Sequence, residues 1–496
     1  MAPARLLTSL FRSSRVTLPS TRSLYFRNYS VANTAQDDFP QPPKAPETPA
    51  EALAEPSVRG QQQQQQQQEE EEEESPRPLM KNSWLRNLRV NDHAIEIPLK
   101  QGFKSHHHAL LRDGCKCPLC IDQSTKQRNF KTTDIPVDIK PRSVKWDGSR
   151  LEVKWENDIP GFPGHHTSVY DEDAIQRVEA NPEYSSAGRR RRRTVWNRLH
   201  MEENTQFWIS YDEYMNDEVA FAEAMHQLAQ TGIIFLKKIP GEREMVEKIA
   251  TRMGPLRNTF YGPTWDVRSV PQAKNVAYTD QDLGMHMDLM YMNEPPGYQL
   301  LHCIENSCEG GESLFADTFW VASSLMRTHP KIFELLCNFH INYEYNHDDH
   351  VYCNRWPVIE WFKDHKANQV KITRVNYSPP FQAPIYHRYA HDHHVVTRSL
   401  QALKVFNEWL NKPQNQFELK LQPGECVIFE NRRVVHARRA FDTNSGRRWL
   451  AGAYVDEDSL LSRFATLHRK YPDVWRRRVY RPLKKAEKWD QDPVVY

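Results

Sequence analysis

The sequence predicts a mainly β protein with flanking helices: a double-sheet jelly roll preceded by a small β-rich domain. Three observations carry this. Beyond about residue 205, short apolar runs such as "IIFL", "ECVIFE" and "LAGAYV" recur between turn residues. Helix-period stretches ("DEVAFAEAMHQLAQTG", "EREMVEKIATRMG" and about 397–411) flank those runs instead of alternating regularly with them. Upstream, over 84–178, "IEIPL", "SVKWDG" and "LEVKWEN" group apolar residues at strand length between Gly, Pro and Asp.

The remaining segments follow in chain order. Residues 1–29 carry Arg5, Arg12, Arg15, Arg22 and Arg27 among serines and threonines, and no acidic residue precedes Asp37. That composition predicts a mitochondrial presequence cleaved between Tyr29 and Ser30, and hence the matrix as destination. Residues 30–83 are Pro-rich, then poly-Gln, then poly-Glu, with too little apolar surface to offset chain entropy; a disordered linker is expected. A second polar stretch, 179–204, contains Arg189–Arg193 without interleaved aromatics and reads as a solvated loop between domains. The large domain then spans 205–496. The net charge of +2 gives no argument for a nucleic-acid partner, and no run approaches the roughly 18 apolar residues of a membrane-spanning helix. A small-molecule substrate fits better.

The chemistry centres on "LGMHMDLM". If His286 and Asp288 lie on one strand, residues two apart share a face and both reach one metal ion, while Met287 and Leu289 turn away into packing. The plain alternative is a strand whose polar face meets water. A 2-His-1-carboxylate metal triad needs a second histidine. His436 supplies one, on a strand expected after a turn at Asn431 in "PGECVIFENRRVVHARRAF". Arg448 opens "RWLAGAYV", expected as a strand running back beside it, where a guanidinium can pair bidentately with a carboxylate. In the small domain, Cys115, Cys117 and Cys120 form C-x-C-x-x-C, three thiolates that call for a fourth ligand to close a structural zinc site. His165 or His166 offers it. The other histidine-rich patches, "SHHH" (His106–His108), "HDDH" (His347, His350) and "HDHH" (His391, His393, His394), have polar flanks and are expected to be solvated loops.

Taken together, H-M-D, the later N-x-R-x-x-H and R-x-L-x-G-A-Y resemble the iron(II)/2-oxoglutarate dioxygenases. More narrowly, "RMGPLRNTFYGPTWDV", "NVAYT", "PPGYQLLHCIENSCEGGESLFADTF" and "LLRDGCKCPLC" are similar to blocks of the γ-butyrobetaine and trimethyllysine dioxygenases of carnitine biosynthesis. The resemblance implies a double-stranded β-helix (jelly roll) with a taurine-dioxygenase-like fold, and iron(II) held by His286, Asp288 and His436. It also implies 2-oxoglutarate bound by Arg448 with help from Ser313, O2 as co-substrate, ascorbate as reductant, and structural zinc(II) with His166 as fourth ligand. By the same resemblance Tyr261, Trp265, Tyr278 and Tyr454 form an aromatic cage for a trimethylammonium group. Asn275 contacts the substrate carboxylate, and the protein is a homodimer. Leu289 and Ser378 depart from the γ-butyrobetaine pattern. The expected activity is therefore hydroxylation of a small quaternary-ammonium substrate, γ-butyrobetaine to carnitine first. Trimethyllysine or another amino-acid-like compound is the alternative, and a non-catalytic binding protein a remote one.

Overall fold

The computed structural model describes residues 88–99, 102–172, 174–175, 193–268, 280–364, 369–385 and 392–477. The expected presequence, the Pro/Gln/Glu stretch, Asn275, Tyr278 and His391 lie outside the described residues.

Two three-stranded antiparallel sheets come first: β1 (Arg89–Val90), β2 (Ala94–Leu99) and β3 (Gly102–His107), then β4 (Pro141–Trp146), β5 (Arg150–Trp155) and β6 (Thr167–Asp171). Ile95, Ile97, Leu151 and Val153 alternate inward along these strands and build a common core with Leu111, Trp155 and Tyr170. The "SHHH" patch differs from the expected solvated loop. His106 ends up inside β3, and His108 starts a short helix with Nδ1 3.2 Å from the Ile139 carbonyl oxygen. Both are buried: alternation along β3 turns His106 inward whatever its polarity, and His108 packs edge-on to Trp155 from the start of the helix.

The rest of the described chain is organised by two sheets. Its strands are β7 (Trp208–Ser210), β8 (Ile233–Lys237), β9 (Thr264–Val267), β10 (Leu283–His286), β11 (Tyr298–Asn306), β12 (Ser313–Asp317), β13 (His340–Asn346), β14 (Val351–Pro357), β15 (Ile359–Asp364), β16 (Gln369–Val375), β17 (Phe417–Leu419), β18 (Cys426–Glu430), β19 (Val434–Arg438) and β20 (Arg448–Val455). A six-stranded sheet runs β7-β8-β18-β11-β20-β9, and a four-stranded sheet β10-β19-β12-β17; β13–β14 and β15–β16 are separate hairpins. The two sheets meet face to face through Phe235, Leu301, Phe315, Val427, Phe429 and Val434. On the far side of the larger sheet, Tyr298, Leu300 and Ile428 pack on helices Glu218–Thr231, Met245–Met253 and Glu457–Lys470. On the far side of the smaller one, Leu314, Ala316 and Val435 meet helices Thr318–Thr328, Pro330–Asn338 and His393–Leu410.

Two further expectations need correction. His393 and His394 are exposed but belong to the first turn of helix His393–Leu410, because the Asp392 carboxylate accepts the backbone N–H groups of His394 and Val395. The arginine run also differs where it is described. Arg193 is buried and pairs with Glu430, Nη2 donating to Oε1 at 2.8 Å, so the chain enters the sheet region there instead of crossing solvent.

Candidate active site and zinc centre

One cavity opens between the two sheets, lined by His286, Asp288, His436, Ser313, Arg438 and Arg448 as its polar groups nearest the smaller sheet and the start of β20. Tyr261, Trp265, Leu289, Phe381 and Tyr454 form an aromatic and apolar wall.

His286 and His436 are directly paired across β10 and β19, with ring centroids 4.1 Å apart. Asp288 Oδ1 lies 3.4 Å from His286 Nε2, and one ligand atom from each of the three side chains falls within 4.8 Å of the others. His286 Nδ1 is 2.8 Å from the Gly284 carbonyl oxygen; as donor there, it leaves Nε2 free to ligate. Burial, with repulsion from His286, pushes His436 down to about 3 and so favours the neutral, ligating imidazole. Against its burial, the two histidines and Tyr454 hold Asp288 well below the usual carboxylate range. Two imidazoles and one carboxylate on one side of a cavity fit an octahedral metal such as iron(II) with positions left open.

The way Asp288 gets there corrects the strand argument. β10 ends at His286, and Asp288 sits in the following turn, where Leu289 takes φ 57°. Leu289 therefore lines the cavity, while Met287 packs in the core. Asn431 holds that turn: its Oδ1 accepts the Asp288 N–H at 2.9 Å, and its Nδ2 donates to the carbonyls of Asp288 at 2.9 Å and Pro296 at 3.1 Å. The Tyr454 hydroxyl donates to Asp288 Oδ2 at 2.6 Å. In the sequence Asn431 reads only as a turn residue; its place five residues before His436, in the same strand connection, is the signal for this further role.

Arg448 is likewise placed differently from expectation. β20 pairs with β11 and β9 in the larger sheet, so Arg448 faces the smaller sheet across the cavity instead of lying beside β19. It is buried, its Nε has no hydrogen-bond partner, and no carboxylate among the described residues pairs with it. Burial and then repulsion from Arg438 push it down to about 10. A desolvated, uncompensated guanidinium is costly unless an anion joins it. Gly311 makes room for it: a Cβ there, at φ 72°, would stand 3.1 Å from Arg448 Cδ. Ser313 is directly opposite Arg438 in the β12–β19 register and also lines the cavity.

Of the aromatic residues expected in a cage, Tyr261, Trp265 and Tyr454 line the cavity. Trp265 and Tyr454 stack on each other, with centroids 3.9 Å apart and an interplanar angle of 26°, which takes up one face of each ring. Gly452 permits this, since a Cβ there would meet the Trp265 indole at 2.4 Å. Ser378 is buried with its hydroxyl unpaired and is not part of the cavity lining.

In the N-terminal part, His166 Nε2 lies 3.7, 3.4 and 3.4 Å from the sulfurs of Cys115, Cys117 and Cys120. Zinc bonds of about 2.3 Å to sulfur and about 2.0 Å to nitrogen put tetrahedral neighbours about 3.5 Å apart, so the four side chains fit that ion. Asp158 Oδ2 holds His166 Nδ1 at 2.6 Å, while Arg112 donates both to Asp158 Oδ1 and, at 3.2 Å, to Cys120 Sγ. His165 takes no part. Among the described residues no other His/Cys/Asp/Glu group converges in this way, the His347/His350 and His393/His394 pairs included.

Known proteins resemble this chain over both of its regions. Residues 201–454 match the model of the taurine catabolism dioxygenase TauD, TfdA family, and residues 86–175 that of the γ-butyrobetaine hydroxylase-like N-terminal region. Dioxygenase str8 of Strobilurus tenacellus is 33% identical over 382 residues, covering 74% of this chain and 85% of its own. A γ-butyrobetaine dioxygenase of Pseudomonas sp. (strain AK-1) is 31% identical over 365 residues, covering 73% and 90%. The mitochondrial trimethyllysine dioxygenase of Rattus norvegicus is 27% identical over 375 residues, covering 75% and 84%. With these family matches and relatives, the chain belongs to the TauD/TfdA dioxygenase family, among the relatives of the γ-butyrobetaine and trimethyllysine dioxygenases.

Proposed function

We propose that the protein is an iron(II)- and 2-oxoglutarate-dependent dioxygenase that hydroxylates a small substrate carrying a quaternary ammonium group, with γ-butyrobetaine as first candidate. One observation carries the reading: an uncompensated buried arginine, Arg448, shares a cavity with His286, Asp288 and His436. The bound iron supplies oxidation of a C–H bond coupled to decarboxylation of the 2-oxo acid. The chain's own residues do the rest. His286, Asp288 and His436 hold the ion, and Asn431 and Tyr454 fix the orientation of Asp288. Arg448, with Ser313 beside it, binds the far carboxylate of 2-oxoglutarate. Leu289, Phe381 and the Tyr261 and Trp265 rings that line the cavity exclude water and meet the substrate, and an aromatic ring attracts an onium group that cannot donate hydrogen bonds. Cys115, Cys117, Cys120 and His166 hold zinc in a structural role.

A second substrate reading is favoured by a specific observation. Ser378, at the position where a carboxylate contact is expected, does not line the cavity. Trimethyllysine or another amino-acid-like compound is therefore the alternative within the same chemistry. The test is succinate formation by the purified chain with iron(II), ascorbate and 2-oxoglutarate. It compares γ-butyrobetaine, trimethyllysine and no substrate, with His286→Ala as blank. Carnitine matched mole for mole by succinate is the expected result. Succinate no faster than the blank in every condition overturns the enzyme reading. The Arg-rich start and the mitochondrial trimethyllysine dioxygenases support a matrix location, checked by fractionation; the resemblance supports a homodimer, checked by sedimentation.

A further inference from the structure

We propose that Gln299 is a ligand-binding residue of the metal cavity, its carboxamide hydrogen-bonding the metal-chelating end of the 2-oxo acid. The inference rests on the dioxygenase reading above and adds to it a residue that the motifs do not single out.

Gln299 lies on β11, the strand between β18 and β20 in the larger sheet, and its side chain lines the cavity. The register places it directly between Tyr454 on β20 and Phe429 on β18. Residues opposite one another on neighbouring antiparallel strands share a face. Both flanking side chains reach metal-ligating residues: the Tyr454 hydroxyl donates to Asp288 Oδ2 at 2.6 Å, and the Phe429 ring lies 5.0 Å from that of His436. Gln299 thus occupies the middle of a three-residue row directed at the triad from the opposite sheet.

The residue is 2% exposed, and its Oε1 is buried without a hydrogen-bond partner. Of its row and strand neighbours, Phe429, Tyr454 and Leu301, only Tyr454 carries a polar side-chain group, and Asp288 already engages that hydroxyl. A buried amide left unsatisfied in an apolar wall is destabilising, whereas leucine or methionine in its place is not. The geometry accounts for a polar residue here only if something in the cavity completes its hydrogen bonds. A carboxamide offers two donors on Nε2 and an acceptor on Oε1, and a half-turn of the amide exchanges their places, so this position can donate to a chelating carboxylate oxygen or accept from a water. Arg448 and Ser313 serve the opposite end of the 2-oxo acid, so the two ends would be held by separate groups.

The experiment uses the full chain loaded with Mn(II) and titrated with N-oxalylglycine, a non-reacting 2-oxoglutarate analogue. It is paired with the charge-transfer band that iron(II) and 2-oxoglutarate form without oxygen. Gln299→Leu is expected to weaken N-oxalylglycine binding about tenfold or more and to shift the band. Its Mn(II) affinity and melting temperature are expected to stay at or above the wild-type values. Gln299→Glu, which keeps the shape but sets a negative charge against the ligand, is expected to weaken binding further and serves if leucine disturbs folding. Wild-type binding and an unshifted band in both variants overturn the role of Gln299 alone. A fall in melting temperature and Mn(II) affinity with unchanged N-oxalylglycine binding at saturating metal also overturns it, in favour of a structural role. Failure of the wild type itself to bind N-oxalylglycine with Mn(II) overturns the dioxygenase reading and this inference with it.

Discussion

Asn431 bridges the two parts of the chain that carry the metal-ligating residues. Its amide closes on both the N–H and the C=O of Asp288, so the carboxylate is held from behind while Tyr454 holds it from the side. Asn431→Ala is expected to reduce metal affinity and turnover about 10–100-fold, the usual cost of losing an outer partner of a metal ligand. Titration with Mn(II), alongside a melting curve to exclude global unfolding, checks this. Wild-type affinity would show that the turn keeps its shape without the amide. Asp158 stands in the same relation to the zinc site through His166 Nδ1. Asp158→Ala is expected to weaken zinc about 10–100-fold, read by competition with a chromogenic chelator.

At the scale of the element, β20 carries three tasks on one strand. Arg448 begins it, Gly452 leaves room for the Trp265 indole, and Tyr454 reaches Asp288. Gly452→Ala leaves that backbone no special strain but pushes a methyl into the indole. Trp265 must move away from Tyr454, breaking their stack while the Tyr454 hydroxyl keeps its bond to Asp288. Substrate KM is expected to rise about tenfold, roughly the loss of one aromatic contact of 1–1.5 kcal/mol, with KM for 2-oxoglutarate unchanged; equal effects on both would instead mean that the whole strand has shifted. The entry segment offers a second test. Arg193 and Glu430 are both buried and pair only through structure formed by distant parts of the chain. Arg193→Ala removes this guanidinium from the buried Glu430 carboxylate and is expected to cost about 3–5 kcal/mol, measured by urea unfolding.

For the whole molecule, acid stability follows from three histidines buried around the sheets. Burial pushes His200, His226 and His302 down to about 4. They stay neutral in the fold but bind protons once unfolded, with pKa near 6.5. Below that value the unfolded state takes up more protons, so stability is lost as pH falls from about 6.5 toward 4, each histidine contributing about 1.4 kcal/mol per pH unit. Unfolding midpoints that stay constant over this window would contradict the expectation.

The sequence by itself determined the candidate His, Asp and His set and its spacing, the three clustered cysteines, the strand-and-helix content of the large region and the motif-borne resemblance. Each of these is local, or is carried by an ordered set of short motifs, and hydrophobic periodicity reports local structure directly. The tertiary structure decided what depends on residues far apart in the chain. It placed Asp288 through a turn stapled by Asn431, where alternation on a strand had seemed sufficient, and it set Arg448 in the opposite sheet from His436. It buried His106, His108 and Arg193, whose polar neighbours in sequence suggested solvent. The row Tyr454–Gln299–Phe429 exists only in the register of three strands drawn from 298–306, 426–430 and 448–455. Pairing across such separations is selected by the packing of both sheets at once, and no stretch of sequence encodes it alone.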